Sequence, residues 1–363
     1  MNAADSRWMA HALHLAERGL YTTSPNPRVG CVLVKDGKVV GEGWHERAGE
    51  PHAEVHALRA AGIAARGATA YVTLEPCSHH GRTPPCAEAL VAAGVARVVA
   101  AMRDPNPLVA GTGIAKLRAA GIAVECGLME AAACELNAGF ISRMTRGNPR
   151  VRSKIAASLD GRTALKNGTS QWITGEAARR DVQHWRARSC AVLTGIGTVL
   201  ADDPRLNVRE IPTERQPLRV VLDSELCIPA TAAILRNGPT LVYTVNSDAA
   251  THGALRASGA EVVVLAGVDG RVDATAALRD LAQRGINEVL VEAGRTLNGA
   301  LLQAGLVDEL VLYLAPQLLG DAARGLADLG EFTQLQQRVN LQWQDVRQVG
   351  GDLRIVARIS KEK

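Results

Sequence analysis

His52-Ala53-Glu54, Pro76-Cys77 and Cys86 bring one imidazole, one carboxylate and two thiols into local contexts suited to a metal. Imidazole and thiolate are ligands that zinc prefers. Zinc takes four, and a chain that supplies three leaves a corner for water, the arrangement of a catalytic rather than a structural centre. Glu54, two residues beyond His52, is not needed as a ligand. Beside the water it can take a proton and pass it to a leaving amine. The spacing predicts that His52 opens one helix after Pro51 and that Cys77 opens another after Pro76 at a strand end, where the helix dipole would hold the Cys77 thiol ionised. Eight residues, Ser78–Pro85, separate the two cysteines and form a loop rich in groups that can hold a phosphate. A structural zinc, or three residues that never meet, is the other reading of the cysteine spacing alone; the His-x-Glu and Pro-Cys contexts favour catalysis. His56 lies four residues after His52 but, with two thiolates already beside His52, reads as a helix-surface or core side chain. Cys31, Cys126, Cys134, Cys190 and Cys227 have no partnered motif and read as small buried hydrophobes.

Three further segments carry weaker chemistry. In Thr23-Ser24-Pro25-Asn26-Pro27, Asn26 can bond a pyrimidine edge, or the segment is simply a rigid turn. Thr194-Gly195-Ile196-Gly197-Thr198 follows an apolar run and Asp223 ends another. However, Leu200 stands where the third glycine or alanine of a dinucleotide fingerprint is expected, and Asp223 lies 28 residues after Gly195, so a Rossmann assignment is rejected. Glu292-Ala-Gly294-Arg-Thr-Leu-Asn-Gly299 also follows a strand and opens a helix, whose amides suit an anion. Ala300-Leu301 replaces the Lys-Ser/Thr of an ATPase loop; a dinucleotide pyrophosphate and an ordinary strand–helix turn both fit. Glu292, ending an apolar strand, is a better functional candidate than Arg186 or Arg209, which on spacing read as surface charges, while Trp172 reads as packing.

These groups need elements to hold them. Asp5 or Ser6 can cap a first helix whose face carries Trp8, Ala12 and Leu15 and which Gly19 stops. Val29–Val34 and Lys38–Gly43 flank the hairpin pair Asp36-Gly37. A helix over about 53–64, a strand over Ala70–Leu74, a helix over Ala87–Ala93, a strand over Arg97–Met102, a further helix and strand closing by Gly127 and a helix from Glu130 towards Met144 complete the first unit. The run Arg146-Gly-Asn-Pro-Arg150 predicts a boundary, with domains at 1–146 and 147–363. Strands over Val151–Ala157, Ala191–Leu193, Leu218–Leu222, Leu241–Val245, Val262–Leu265, Glu288–Val291, Leu310–Leu314 and Leu353–Ile359 follow. Both halves therefore read as α/β with mostly parallel sheets. A net charge of +4 and only 3% aromatic residues argue against a chain built to bind nucleic acid. Apolar runs such as Ala89–Ala96 and Ala191–Ala201 fall short of the roughly 18 residues of a membrane span. Asp5 and Arg7 precede any apolar run, so no signal peptide is expected, and seven scattered cysteines do not form a disulfide framework. A cytoplasmic enzyme is expected.

The His-x-Glu…Pro-Cys…Cys pattern resembles the zinc-dependent nucleobase deaminases, with eight residues between the cysteines where two are common. More fully, Asn26-Pro-x-Val-Gly-Cys31, His52-Ala-Glu-Val-His56 and Leu74-Glu-Pro-Cys-Ser-His-His-Gly-Arg-Thr-Pro-Pro-Cys86 resemble the bifunctional riboflavin-biosynthesis deaminase/reductase family. So do Lys154-Ile-Ala-Ala-Ser-Leu-Asp-Gly-Arg-Thr163, Ser170-Gln-Trp-Ile-Thr174, Val199-Leu-Ala-Asp-Asp-Pro204 and Val291-Glu-Ala-Gly294, so the resemblance spans nearly the whole chain. It implies an N-terminal cytidine-deaminase-like α/β/α domain and a C-terminal dihydrofolate-reductase-like α/β domain. It implies one Zn2+ on His52, Cys77 and Cys86, Glu54 as proton shuttle, and deamination of a phosphoribosylated diaminopyrimidinone held by Asn26 and His45, with His79 and Arg82 facing its phosphate. In the second domain it implies NADPH-dependent reduction of the ribosyl group to ribityl. NADPH would be bound by Ala156, Trp172, Thr198, Asp202, Ser224 and the loop Gly294, Arg295, Thr296, Leu297, Asn298, Gly299 and Ala300. Substrate would be bound by Ser170, Arg186, Leu206, Arg209 and Glu292, the two arginines matching a phosphate's geometry. Asp202 and Lys154 are candidates for proton delivery. The expected partners are small-molecule phosphoribosyl pyrimidines, with no nucleic acid and no membrane, in a homo-oligomer, dimer or tetramer. The rival reading, a zinc nucleobase deaminase with a C-terminal binding module, requires a basic, aromatic-lined groove.

Overall fold

The computed structural model describes residues 2–78, 85–107, 109–265 and 267–360, so His79 and Arg82 lie outside the described residues. Two compact units divide the chain, Met1–Asn148 and Pro149–Lys363.

The first unit runs α1 (Ala3–Glu17), β1 (Gly30–Lys35), β2 (Lys38–Trp44), α2 (Ala53–Ala61), β3 (Thr69–Val72), α3 (Cys86–Ala92), β4 (Arg97–Ala100), α4 (Thr112–Ala119), β5 (Ala123–Cys126), α5 (Glu130–Leu136) and α6 (Ala138–Arg146). Its sheet has the order β2-β1-β3-β4-β5. β3, β4 and β5 are parallel, while β1 is antiparallel to both its neighbours, so only half of this sheet has the parallel character expected. Asp36 and Gly37, at φ 50° and 71°, make the anticipated hairpin turn. The buried side chains of Met9, Leu33, Leu90, Val98 and Leu117 belong to the core of this unit. α2 presses hard on β2: a Cβ on Gly41 would stand 2.3 Å from the Ala57 carbonyl oxygen. That close approach fixes the start of α2, and with it His52 and Glu54.

Three local expectations for this unit are corrected. α1 is capped by Asn2 rather than by Asp5 or Ser6; Asp5 is the reciprocal partner, receiving the Asn2 N–H at 2.8 Å while its own N–H bonds to Asn2 Oδ1 at 3.0 Å. The single helix expected from Glu130 towards Met144 is broken at Asn137. That side chain is committed elsewhere, accepting from Arg28 N at 2.8 Å and donating to Arg28 O at 2.9 Å, and so ties the break to the segment before β1. Cys77 does not open a helix; it lies in irregular chain past β3, and Cys86 is the first residue of α3.

The second unit runs β6 (Arg150–Ser158), β7 (Arg162–Ala164), α7 (Glu176–Arg188), β8 (Ala191–Gly195), α8 (Ile196–Asp202), β9 (Leu218–Leu222), β10 (Thr240–Thr244), α9 (Ala249–Ala257), β11 (Ala260–Val264), β12 (Gly267–Val268), β13 (Arg271–Val272), α10 (Ala274–Gln283), β14 (Glu288–Val291), α11 (Arg295–Gln303), β15 (Glu309–Ala315), β16 (Arg324–Gly325), β17 (Leu341–Val349) and β18 (Asp352–Ile359). Its main sheet has the order β11-β10-β9-β8-β14-β6-β15-β18-β17, parallel from β11 to β15 and antiparallel at β18 and β17. Because β14 returns to lie between β8 and β6, the loops leaving β8 and β14 meet at the carboxyl edge, the usual ligand edge of an open α/β sheet. At the opposite end of these strands, buried Arg152 pairs with Glu288 and Glu309.

β17 escaped the sequence reading because Leu341, Trp343 and Val346 are exposed on this edge strand and a bulge between Trp343 and Asp345 breaks its alternation. Cys31 and Cys190 are buried as expected, but Cys126 and Cys134 are half-buried and Cys227 is exposed. Among the described residues no helix is long and apolar enough to cross a membrane.

Candidate functional site

In the first unit the three expected ligands converge. His52 Nδ1 lies 3.6 Å from Cys77 Sγ and 3.4 Å from Cys86 Sγ, and all three donor atoms fall within 4.8 Å of one another. A tetrahedral zinc with Zn–S of about 2.3 Å and Zn–N of about 2.0–2.1 Å separates its nitrogen and sulfur ligands by about 3.6 Å, so the donor set and its spacing fit the ion. His52 is the N-cap of α2, Cys86 begins α3, and the Cys86 N–H points at Cys77 Sγ from 3.3 Å. The helix terminus thus acts on Cys77 across the loop instead of from its own helix. The hydrogen bond from the Cys86 thiol, with help from His52, pulls the Cys77 thiol down to about 4; that same bond, together with burial, raises Cys86. The Cys86 N–H and His52 thus both favour the thiolate at Cys77, the form in which sulfur binds a cation.

Glu54, in the first turn of α2, is 3% exposed. Burial, reinforced by the Cys77 charge, raises its carboxyl to about 7. It stands two residues beyond the ligand His52, in the same first turn of α2. Asn26 and His45 also meet: Asn26 Nδ2 donates to His45 Nε2 at 3.1 Å, and His45 Nδ1 donates to Pro51 O at 3.1 Å. This pattern assigns the neutral imidazole, and burial lowers the His45 pKa in agreement. The His45 ring stands edge-on to His52, centroids 5.4 Å apart. His56 joins no ligand set among the described residues.

In the second unit, Glu292 directly follows β14 and is gripped by Arg186 of α7, with Nε to Oε1 at 2.5 Å and Nη2 to Oε2 at 3.0 Å. Lys154 Nζ on β6 lies 3.4 Å from Oε2. Although burial would raise Glu292, the charges of Arg186 and Lys154 hold it down at about 2. Arg186, read from spacing as a surface charge, is buried, and its Nη1 also donates to Asn207 O at 3.1 Å. Arg209 remains partly exposed; its backbone N–H donates to Gln183 Oε1 at 3.0 Å, a partner the sequence reading missed. Burial and the neighbouring Arg186 charge lower its pKa. Leu206 is buried with φ 48° in the same segment.

The remaining predicted residues line the carboxyl edge by strand position. Ala156 lies near the end of β6, Thr198 in α8 after β8, and Ser224 after β9, where its hydroxyl accepts from Val272 N at 3.1 Å. A Cβ on Gly294 would stand 3.9 Å from Thr198 Oγ1, which places the two loops side by side. Gln171 Nε2 donates to Asp202 Oδ1 at 3.4 Å, so the Ser170–Trp172 segment reaches the end of α8. Trp172 is 68% exposed with the Arg179 guanidinium 4.6 Å from its ring centroid, so it does not pack in the core. In the loop Gly294–Ala300, Gly294 is the N-cap of α11 with no side-chain cap, leaving the amides of Arg295, Thr296 and Leu297 for an anion. Arg295 pairs with Asp328 at 3.1 Å, whereas Asn298 turns inward, accepting from Ser153 Oγ at 3.0 Å. Asp223 is fully buried and accepts from Ile228 N at 2.7 Å, so it closes its own loop, in keeping with the rejected ribose role.

Residues 2–102 match the family described as the cytidine and deoxycytidylate deaminase zinc-binding region, and residues 149–355 match the RibD C-terminal domain. The chain is 52% identical to the riboflavin biosynthesis protein RibD of Escherichia coli K12 over 362 residues, covering 96% of this chain and 98% of that protein. Among solved structures it resembles Acinetobacter baumannii RibD (TM-score 0.92, 50% identity, 99% of both chains). It also resembles a diaminohydroxyphosphoribosylaminopyrimidine deaminase/5-amino-6-(5-phosphoribosylamino)uracil reductase from Thermotoga maritima (TM-score 0.87, 33% identity, 98% of this chain and 99% of that one).

Proposed function

The chain belongs to the RibD family of riboflavin-biosynthesis proteins, and from that membership we propose how its residues divide two successive reactions. It is a bifunctional enzyme, a zinc-dependent deaminase and an NADPH-dependent reductase. The rival reading, with a C-terminal binding module, gives way to the reductase-domain match over 149–355.

The convergence of His52, Cys77 and Cys86 beside buried Glu54 carries the deaminase assignment. His52, Cys77 and Cys86 would hold the zinc, which would supply Lewis acidity to activate a water near neutral pH. The Glu54 carboxylate takes the proton from the attacking water and delivers it to the departing amine, so that water adds oxygen to the ring carbon and ammonia leaves. Asn26, which donates one N–H to His45, presents its carbonyl oxygen to the pyrimidine edge, and neutral His45 fixes that orientation. His79 and Arg82 remain the proposed phosphate contacts of the substrate.

For the reductase, bound NADPH would supply hydride for the ribosyl carbon, and the chain's task is to align the two. We assign the α11 amine end and Thr198, Ser224, Trp172, Asp202 and Ala156 to the cofactor, and Ser170, Leu206, Glu292 and the arginines to the substrate. Arg186 gives Nε, Nη1 and Nη2 to Glu292 and Asn207 O, which makes it a clamp; Arg209, exposed and paired with Glu210 Oε1 at 3.5 Å, is the arginine we assign to the phosphate. Glu292, kept ionised, is placed to accept from a ribose hydroxyl. Lys154, whose Nζ shares Glu292 Oε2 with Arg186, is the candidate we favour for proton delivery. The proposal includes a homo-oligomer, dimer or tetramer, in the cytoplasm; the exposed apolar residues of β17 are a surface such an assembly would cover.

The test is one preparation assayed twice. A chelator should stop ammonia release from the diaminopyrimidine phosphate while NADPH oxidation by the deaminated product continues. Equal loss of both, or of neither, would overturn the division of labour.

A further inference from the structure

We propose that Glu75 is a positioning residue for Cys77, acting through the first turn of α4. Glu75 precedes Pro76-Cys77 and is 4% exposed. A carboxylate is costly to bury without partners, and this one takes them all from the main chain. Oε2 accepts from Asp104 N at 3.2 Å and Gly111 N at 2.9 Å, and Oε1 accepts from Ile114 N at 3.1 Å.

Gly111 is the N-cap of α4, a helix with no side-chain cap of its own. Glu75 therefore supplies from outside what a capping residue normally supplies from within, and its charge faces the positive end of the helix dipole. The far side of the cysteine is tied to the same helix. Ser78 Oγ bonds with Thr112 Oγ1, and Lys116 Nζ donates to Ser78 O at 2.8 Å while pairing with Glu88 of α3 at 3.1 Å. Between them Pro76 lies so close that a Cβ on Gly113 would stand 1.9 Å from its carbonyl oxygen. Residues 75–78 are thus strapped to α4 on both sides of Cys77, and Glu75 is the buried end of the strap. Outer-sphere groups of this kind govern how well a ligand keeps its place around a metal.

The inference rests on the metal reading above, so the experiment separates the two. Glu75→Gln keeps the shape but turns an NH2 towards backbone N–H donors, leaving at least one unpaired. Gly113→Ala pushes Pro76 from the other side without touching the carboxylate. In the full-length chain, both variants should bind zinc about 10- to 100-fold more weakly in competition with a chromophoric chelator. Their cobalt-substituted forms should show altered visible bands, which report thiolate geometry. Deaminase kcat should fall with KM within about twofold, and NADPH reductase activity should be unchanged. Wild-type zinc affinity and wild-type cobalt bands in both variants would overturn the proposal, as would loss of both activities in both variants, which would make the strap part of the general fold. If one variant alone fails to fold, the other decides. A wild-type chain that binds no zinc would instead sink the metal reading.

Discussion

Arg186 holds Glu292 with two arms of its guanidinium, Nε at 2.5 Å from one carboxylate oxygen and Nη2 at 3.0 Å from the other. Such a fork depends on a planar donor pair that lysine lacks. Arg186→Lys should therefore lower reductase kcat/KM by about 10- to 100-fold, a loss of roughly 1.4–2.7 kcal/mol, through a misaligned Glu292. Ammonia release by the same preparation should not change. Steady-state NADPH oxidation beside an ammonia assay checks both halves.

The same pair sets an acid limit. The folded-state pKa of Glu292, about 2, lies below its ordinary 4.5. The folded protein therefore binds fewer protons here than the unfolded chain. The contribution to stability is complete above about 4.5 and lost as pH falls towards about 2, on the order of 3 kcal/mol in total. Urea unfolding of the wild type and Glu292→Gln, monitored on the second unit, should show a stability gap that narrows between pH 6 and pH 3. A gap that stays constant over that range contradicts the assignment.

Glu54→Gln should lower deaminase kcat by about 10²- to 10⁴-fold, the usual worth of a positioned acid–base group. Zinc content and NADPH oxidation should be those of the wild type, because Glu54 is not one of the three clustered donors. Metal analysis on the assayed sample separates lost proton transfer from lost metal.

Asn26→Ala removes the partner of His45 Nε2 and the proposed pyrimidine contact. One hydrogen bond to a neutral group is worth about 1 kcal/mol, so the KM for deamination should rise about five- to tenfold with a smaller change in kcat. His45→Ala alone and the double variant complete a cycle whose coupling should be non-zero, because the two side chains touch.

The deaminase centre was legible because motif chemistry survives without coordinates: His52, Cys77 and Cys86 announce themselves by type and context. What the sequence hid was which helix serves which ligand. Pro76 suggested that Cys77 opened a helix, yet the terminus belongs to Cys86 and reaches Cys77 through a backbone N–H. The parallel strands of the second unit were legible wherever both faces are buried, as at Leu218–Leu222 and Glu288–Val291, whose limits match the observed strands. β17 was not, since an edge strand with exposed Leu341, Trp343 and Val346 has no buried face to impose alternation. Arg186 was misread for a related reason: nothing in its helical spacing shows that Glu292, more than a hundred residues away, will draw it inside. Glu75 had a visible sign, a carboxylate beside a proline and a ligand cysteine, but its partners are backbone amides that carry no sequence signal.

The most direct test is X-ray absorption at the zinc edge on active wild-type protein, with the metal quantified per chain. One zinc per chain is predicted, with two sulfur neighbours at about 2.3 Å and nitrogen or oxygen at about 2.0–2.1 Å, and one sulfur lost in Cys77→Ser. Full deaminase activity in protein without zinc, or a zinc shell containing no sulfur or four, would contradict the account.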